Sequence, residues 1–324
     1  MVKISIALAS YNGQKYILEQ LESFSCQSRR PDEVIISDDC STDETVSLIR
    51  KFSLSAPFVV KLYVNKINLG YAQNFANALS KTTGDLIFLS DQDDVWFPNK
   101  INDVYKIAIS SEALLIMNDA EITDRNLNPS GLSKLNQIKA MGFNSNKFVM
   151  GCCAAIKRDL LDLTLPMDSS FPAHDTWISW FAEFMGLKVV CSEIMQYYRR
   201  HDSNESQYSA NKFVEDSTLT KLWTRIRLAA KDTGEDLCAS EMACRSFDAF
   251  INSLVNDRVA NTFEAELIGA QRLSAEQLKR VRERITLRKL WFPARTYRAT
   301  LFLLSGHYQR FSGIKSYARD IFFK

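Results

Sequence analysis

The chain has 324 residues, 46% of them hydrophobic and 24% charged, and its formal net charge is +2. This length fits one large domain with an appendage or two domains, and the near-neutral charge excludes a protein that is basic over its whole surface. The seven cysteines show no CxxC pair and no His-paired spacing, which predicts reduced, buried thiols of a cytosolic protein. No stretch approaches the roughly 18 consecutive apolar residues of a membrane span, and residues 1–12 do not predict a signal peptide.

The first 120 residues alternate between strand and helix patterns. Strands are predicted at 3–9, 33–37, 59–64, 85–90 and 113–117. Helices are predicted at 15–25, from a Ser41–Glu44 capping box to about Phe52, after the turn at Gly70, and at 99–110. Such alternation with nearly continuous apolar strands predicts an α/β fold, with a mostly parallel sheet covered by helices on both faces.

The pattern after residue 130 is looser and ends in helices. It predicts a turn at 128–131, a strand and helix start within 151–161, a helix at 173–186, strands at 187–192 and 194–201, and a polar linker at 202–211. Further helices are predicted at 213–231, 240–268 and 274–291, with Pro293 breaking the pattern. We therefore expect a catalytic domain over 1–205 and a helical, basic C-terminal region over 206–324.

Polar side chains follow three of the predicted strands at their carboxyl ends, where open α/β sheets bind ligands. They are Ser10 to Asn12 after the first strand, Asp38 and Asp39 after the second, and Asp91 to Asp94 after the fourth. Asp91 and Asp93 flank Gln92, so both side chains leave an extended chain on the same side. Hard oxygen ligands of this kind suit Mg²⁺ or Mn²⁺ bound together with substrate phosphates. No GxGxxG and no GxxxxGK[ST] motif is present, which argues against a dinucleotide dehydrogenase and a P-loop ATPase.

Five stretches over residues 2–190 together resemble the family 2 glycosyltransferases of the GT-A fold. They read ISIALASYNGQKYILEQLESFSCQS, DEVIISDDCSTDET, NLGYAQNFANAL, GDLIFLSDQDDVWFPNKI and HDTWISWFAEFMG. The SDQDDVW motif with Pro98 and Lys100 is similar to a bacterial subgroup that builds O-antigen and other surface polysaccharides.

The resemblance implies roles for individual residues. Asp175 would be the general base, although His174 stands where the family often has Glu. Mn²⁺ or Mg²⁺ would be bound by Asp93 with Asp91 and His201. The nucleotide and donor would be bound by Ala9, Tyr11, Asp38, Asp39, Asp91, Asp94, Arg199 and Arg200.

The function implied by the resemblance is metal-dependent, inverting transfer of a hexose. UDP-galactose or UDP-glucose is the expected donor, a sugar on a polyprenyl diphosphate the acceptor, and a β-linkage the product. dTDP-rhamnose is the rival donor. A nucleotidyltransferase is a second alternative, but it would carry a Gly-rich basic loop after the first strand, of which ASYNGQKY is a poor version. A non-catalytic carbohydrate-binding relative is a third, and the intact Asp39, Asp91, Asp93 and Asp175 argue against it.

The C-terminal region is where the positive charge is concentrated. Residues 271–324 contain thirteen Lys and Arg against three Asp and Glu, a balance of +10, so the rest of the chain carries −8. Basic residues alternate there with Trp, Phe, Tyr and Leu, as in helices that lie on a membrane surface. This predicts a cytoplasmic protein with peripheral contact to the inner membrane. A solvated helical face is the plainer alternative, and helix packing in a dimer or against the catalytic domain is a third. No zinc-finger, homeodomain or RNP-like signature points to nucleic acid.

Overall fold

The computed structural model describes residues 2–140, 144–168, 171, 173–201, 234–256, 261–311 and 313–322. Contacts along the backbone divide the chain into two units, Met1–Asn204 and Glu205–Lys324. Among the described residues, the first unit is an α/β structure built on one sheet, and the second consists of helices.

The described strands form one mixed sheet. They are β1 Ile4–Ser10, β2 Glu33–Asp38, β3 Val59–Val64, β4 Leu86–Ser90, β5 Val95–Trp96, β6 Leu115–Thr123, β7 Pro129–Ser133, β8 Ala154–Lys157 and β9 Lys188–Arg199. Their order is β3-β2-β1-β4-β8-β6-β9-β5, with β7 paired to β6. The pairs β1–β2, β2–β3, β1–β4 and β6–β9 are parallel, whereas β8 runs antiparallel to β4 and β6, and β5 antiparallel to β9. The predicted fold class is confirmed, and each antiparallel pair includes at least one strand from the second half of the unit.

Helices connect and cover these strands. They are α1 Ile17–Ser25, α2 Thr45–Ser53, α3 Tyr71–Leu79, α4 Lys100–Ser110, α5 Lys134–Ala140, α6 Arg158–Thr164 and α7 His174–Phe184. The central strands β2 and β4 are buried at every position, and β1 at all but one. This burial follows from their nearly continuous apolar sequences, because helices remove both faces of the sheet from water.

Several elements differ from the sequence prediction. The two strands expected at 187–192 and 194–201 form the single strand β9, and the strand expected at 113–117 extends as β6 to Thr123. The turn expected at 128–131 lies earlier, because Asp124 Oδ1 accepts hydrogen bonds from the backbone N–H groups of Asn126 and Asn128, at 2.8 and 2.9 Å.

The expected capping box at Ser41–Glu44 is wrong. Helix α2 begins at Thr45, whose backbone N–H donates to Asp43 Oδ1 at 3.0 Å. The Ser41 hydroxyl instead donates to Asp38 Oδ2 at 2.6 Å. Because the Ser41 hydroxyl bonds to the Asp38 carboxylate, it does not cap the first turn of α2.

The end of the sheet opposite the polar clusters is tied by Glu33. This buried carboxylate accepts hydrogen bonds from the Ser5 hydroxyl and from the Thr83 backbone and hydroxyl, and forms an ion pair with Lys61 at 3.3 Å. Burial alone would raise the pKa of Glu33, but these hydrogen bonds lower it to about 2. The contacts join β1, β2, β3 and the segment before β4.

We expect Glu33→Gln to lower the free energy of unfolding by about 1–3 kcal/mol at pH 7, because Gln cannot replace the charged acceptor. The folded-state pKa lies below the unfolded value near 4.5, so this stabilisation is present above about pH 4.5 and lost as the pH falls towards 2. Urea unfolding at several pH values measures the difference. The exposed carboxylate variant Glu112→Gln is the control, and a pH-independent difference would contradict the assignment.

The described helices of the second unit are α8 Gly234–Asn256, α9 Glu264–Arg288, α10 Phe292–Leu304 and α11 Ile314–Phe322. Pro293 lies in the first turn of α10, where its missing N–H breaks no intrahelical hydrogen bond, so it starts a helix rather than only ending one. The helices expected at 240–268 and 274–291 correspond to α8 and α9 with different bounds, and the linker at 202–211 and the helix at 213–231 lie outside the described residues.

A buried ion network of three side chains joins helices α9 and α11. Asp320 is fully buried and accepts hydrogen bonds from Arg284, at 2.7 and 2.9 Å, and from Arg288, at 2.9 Å. Two guanidinium groups on one carboxylate explain part of the excess basic charge without any partner outside the chain. Within the described ranges, no helix combines the length and hydrophobicity that crossing a bilayer would need.

Candidate active site

The carboxyl ends of β1 and β2 meet at the expected edge of the sheet. Ser10 pairs with Asp38 in the parallel register, and the Ser10 hydroxyl donates to Asp38 Oδ2 at 2.7 Å. Asp38 is fully buried and also accepts hydrogen bonds from the backbone and hydroxyl of Ser41. Its carboxylate therefore fixes the loop after β2, and the predicted nucleotide contact of Asp38 stays a prediction.

Asp39 connects the same edge to helix α3. Its Oδ1 accepts from the Asn65 side chain and the Leu69 backbone, at 3.0 and 2.8 Å, and its Oδ2 accepts from the Gly70 backbone at 2.9 Å. A carboxylate offers about four acceptor positions, so one position on Oδ2 is left for a ligand. Gly70 has φ +80°, a conformation that glycine adopts without strain.

The loop after β1 is clamped by Gln92. The Tyr11 backbone N–H donates to Gln92 Oε1 at 2.9 Å, and Gln92 Nε2 donates to the Tyr11 carbonyl at 3.0 Å. A Cβ on Gly13 would stand 2.1 Å from Gln92 Oε1, so a side chain at this position would displace the Gln92 amide from the loop. The Tyr11 ring is 46% exposed, and Ala9 lies at the end of β1. The amide between the two predicted metal ligands thus holds a loop predicted to contact the nucleotide.

The acidic segment is brought to the end of β9 by the two-residue strand β5. Val95 pairs with Tyr197 and Trp96 with Gln196 in an antiparallel register, so residues before β5 lie beside residues after β9. Asp93 Oδ2 lies 2.8 Å from His201 Nε2, and the His201 ring stacks on Tyr16 with ring centroids 4.7 Å apart. The structure therefore brings together two of the three residues predicted to bind a metal.

Asp94 is the most buried member of the segment. Its side chain is inaccessible to solvent, and Oδ2 accepts a hydrogen bond from Gln196 Nε2 at 2.8 Å. Among the described residues, its Oδ1 has no hydrogen-bond partner. One ligand atom each from Asp91, Asp94 and Cys152 lie within 4.8 Å of one another. A buried acceptor without a donor, beside further anionic ligands, fits a bound cation.

The pKa values of two carboxyl groups in the cluster are raised, first by burial and then by the neighbouring negative charges. Loss of solvent, and then the Asp94 and Asp93 charges, raise the pKa of Asp91 well above its usual range. Burial and the Asp93 charge raise the pKa of Asp94 to about 7. A divalent cation would reverse these shifts, because it favours the ionised form of every carboxylate around it. The donor set therefore fits Mn²⁺ or Mg²⁺.

Gln196 donates a hydrogen bond to Asp94, and Lys100 donates one to Gln196. Neither residue was predicted as a site residue from local patterns. Lys100 is buried, and its Nζ donates to the Cys152 carbonyl at 3.0 Å and to Gln196 Oε1. Burial lowers the pKa of Lys100 to about 8, although the nearby acidic groups favour its charge. Lys100 could have been found from the sequence, because it follows the SDQDDVW motif that is similar to the bacterial subgroup. Gln196 lies about a hundred residues from Asp94 and belongs to no motif that would have indicated it.

The predicted phosphate ligands Arg199 and Arg200 differ in placement. The Arg199 guanidinium is buried, donates to the backbone carbonyls of Asp93 and Arg125, each at 2.8 Å, and pairs with Glu19. The bond from Nε to the Asp93 carbonyl positions the acidic segment, and the other two contacts hold the guanidinium against Arg125 and Glu19. Arg200 is half-buried, and its backbone N–H donates to the Thr123 carbonyl at 3.0 Å. The predicted roles of both arginines at the diphosphate remain predictions.

Asp175 is the second residue of helix α7, near the acidic segment. The Thr176 backbone N–H donates to Asp175 Oδ1 at 2.7 Å, while Ala173 occupies the N-cap position. The helix is anchored by Trp177, whose ring N–H donates to the Thr164 carbonyl at 3.0 Å. Asp175 is linked to the acidic segment through Gly151 and Cys152. A Cβ on Gly151 would stand 3.6 Å from Asp175 Cβ, and Cys152, the next residue, has its ligand atom within 4.8 Å of those of Asp91 and Asp94. A carboxylate so placed is suited to accept a proton beside a bound diphosphate.

Similarity to known proteins agrees with this geometry. A family model described as Glycosyl transferase family 2 matches residues 5–164. The chain is 30% identical over 227 residues, 66% of its length and 83% of the relative's, to WfaP of Escherichia coli, a UDP-Glc:alpha-D-GlcNAc-diphosphoundecaprenol beta-1,3-glucosyltransferase. It is 35% identical over 111 residues, 33% of this chain and 38% of the relative, to the dTDP-rhamnosyl transferase RfbG of Shigella flexneri.

The solved structures show the same architecture. The crystal structure of S. aureus TarS 1-349 in complex with UDP superposes with a TM-score of 0.54, at 19% identity, covering 87% of this chain and 90% of that one. At this identity the likeness concerns the fold. Sheet order, acidic segment and the extended similarity to WfaP agree, and the chain belongs to glycosyl transferase family 2, with the GT-A fold.

Proposed function

We propose that this glycosyltransferase moves a hexose from UDP-glucose or UDP-galactose, with inversion, to a sugar carried on a polyprenyl diphosphate. The observation that supports this most is the position of Asp175 next to Gly151, whose neighbour Cys152 adjoins Asp91 and Asp94, in a chain similar over most of its length to WfaP. The printed activity of WfaP has a UDP-glucose donor and a diphosphoundecaprenol-linked acceptor. Inversion at an α-linked UDP-hexose forms a β-linkage.

The carboxylates of the acidic segment would hold Mn²⁺ or Mg²⁺. Asp93 and Asp91 are the proposed ligands, with His201 beside Asp93 and the unpartnered Asp94 Oδ1 facing the same cluster. A bound divalent cation supplies Lewis acidity that neutralises a diphosphate leaving group. Arg199 fixes the Asp93 backbone, and Gln196 and Lys100 orient Asp94, so the ligands are held before any substrate arrives.

Asp175 acts as the general base in this proposal. An inverting transfer is a single displacement, in which the acceptor oxygen loses its proton as it attacks the anomeric carbon from the face opposite the diphosphate. The carboxylate is half-buried on a helix anchored by Trp177, so its position is fixed. Asp39 and the Tyr11 loop, at the carboxyl ends of β2 and β1, would contact the nucleoside.

The similarity to RfbG favours one second candidate, a dTDP-rhamnose donor on the same site. Calorimetric titration of the protein with UDP, dTDP and GDP, each with Mn²⁺ and with a chelator, separates the possibilities. Binding of UDP alone, lost with chelator, is the expected result. Preference for dTDP would favour dTDP-rhamnose over a UDP-hexose as the donor. If no nucleotide bound, a non-catalytic carbohydrate-binding protein would be the better proposal.

A lipid-linked acceptor places the enzyme at the cytoplasmic face of the inner membrane, and helix α10 offers a surface for that contact. Trp291, Tyr297, Leu301 and Leu304 are exposed on and just before this helix, with Tyr297 at 70% and Leu304 at 80%. The last three are spaced four and three residues apart, so they share one face of the helix. Apolar side chains on a segment with a balance of +10 match an anionic lipid surface.

We expect the double variant Tyr297→Ser/Leu304→Ser to bind anionic phospholipid vesicles about 10-fold more weakly than the wild type, since it removes apolar surface that would enter the interface. Co-sedimentation with vesicles measures the bound fraction. Leu54→Ser removes a leucine that is 87% exposed in the first unit and is the matched control. Equal binding of both variants and the wild type would exclude this face as the contact.

A further inference from the structure

His174 is a buried polar side chain without a polar contact. It is 4% exposed, and among the described residues neither ring nitrogen has a hydrogen-bond partner. The ring stacks on Phe75, with centroids 4.1 Å apart and planes 22° apart, and meets the edge of Tyr71 at 6.1 Å. An apolar ring would satisfy these contacts better, because burying an unpaired polar group is destabilising. Packing therefore does not account for histidine at this position.

The ring lies beside Gly151, which also lies next to the proposed base Asp175. A Cβ on Gly151 would stand 3.1 Å from His174 Nε2 and 3.6 Å from Asp175 Cβ, so a side chain at this position would crowd the imidazole. Cys152, the next residue, lies within 4.8 Å of the Asp91 and Asp94 ligand atoms. Groups held by Asp175 and by the acidic segment would thus pass close to the imidazole.

The hydrogen-bonding capacity of the ring indicates the ligand. Burial lowers the pKa of His174, so the imidazole is neutral at physiological pH, although the Asp175 charge favours its protonated form. A neutral imidazole offers one donor and one acceptor. A hydroxyl group can also both donate and accept, whereas a phosphate group offers acceptors and is better matched by a cation.

We propose that the His174 imidazole hydrogen-bonds a sugar hydroxyl beside the reacting centre and so helps to set which hydroxyl pattern the site accepts. This role rests on the proposed glycosyl transfer. The hydroxyl belongs either to the transferred hexose or to the acceptor sugar, since both would lie next to Asp175. His174 is then a substrate-binding residue that keeps its polar atoms unpaired until substrate is present.

The test compares His174→Phe, which keeps the stack on Phe75 and removes both nitrogens, with His174→Gln, which keeps a donor and an acceptor. Three quantities are measured with UDP-glucose and Mn²⁺: affinity for UDP, hydrolysis of UDP-glucose without acceptor, and kcat/KM for transfer to a synthetic GlcNAc-diphosphate lipid. For His174→Phe we expect unchanged UDP affinity, an equal or higher Tm, and a loss of about 10- to 100-fold in kcat/KM. His174→Gln should recover part of that loss.

The individual measurements identify the source of the hydroxyl. Loss in hydrolysis as well as transfer assigns it to the transferred hexose, and loss in kcat/KM for transfer with unchanged hydrolysis assigns it to the acceptor sugar. Wild-type values for His174→Phe in both reactions would overturn the role of His174 alone. An inactive wild type would instead overturn the proposed function, and with it the inference that depends on it.

Discussion

Asp93→Ala is expected to abolish glycosyl transfer and to weaken Mn²⁺-dependent binding of UDP by at least about 100-fold. Asp93 is 8% exposed, and its carboxylate lies 2.8 Å from His201, the other proposed metal ligand of this pair. The variant therefore removes one of two proposed ligands that contact each other. The fold should persist, because the contact that positions this segment, from Arg199 to residue 93, uses the backbone carbonyl. Calorimetry with UDP and Mn²⁺ and a thermal unfolding curve measure the two effects.

The control for this variant is Asp103→Asn on helix α4. It removes a carboxylate that is 43% exposed and pairs with Lys106 at the surface, so binding and transfer should be unchanged. UDP affinity of the wild-type strength in Asp93→Ala, still abolished by chelator, would show that other residues hold the metal. Asp94 with its unpartnered Oδ1, together with Asp91 and Cys152, would then be the better ligand set.

Asp175→Asn is expected to lower kcat by about 100- to 10,000-fold while leaving UDP–Mn²⁺ affinity within about threefold of the wild type. The amide oxygen of Asn can still accept the hydrogen bond from the Thr176 backbone, so the start of helix α7 is preserved while the proton acceptor is lost. Steady-state kinetics at saturating donor and UDP calorimetry check the two halves of the prediction.

The informative comparison is between the Asp175 and Asp93 variants. A general base acts on the acceptor hydroxyl, so its loss should reduce turnover without reducing nucleotide binding. If Asp175→Asn lost UDP affinity together with activity, Asp175 would be a donor-binding residue and the assignment as base would fail. Wild-type turnover of Asp175→Asn would also contradict this assignment, and another residue of the site would then be the base.

Much of the fold could be predicted because its signals are local. Apolar strands alternating with amphipathic helices predicted β1 to β4 and α1 to α4 within a few residues, since period and turn residues report short-range structure. The expectations that failed concern ends and pairings. Ser41 did not cap α2 because Asp38, which is buried by the sheet, takes its hydroxyl, and 187–201 became one strand because β6 pairs along it.

The sequence by itself determined the sheet, the polar strand ends and the acidic segment, because continuous runs of residues encode them. Only the tertiary structure decided which distant residues complete the site. The register of β5 against β9 sets His201 against Asp93 and Gln196 against Asp94, over separations of about a hundred residues. The packing of helix α7 also leaves the buried His174 ring without a hydrogen-bond partner among the described residues. Burial and pairing of this kind depend on how the whole chain packs, and no local pattern of residues contains that information.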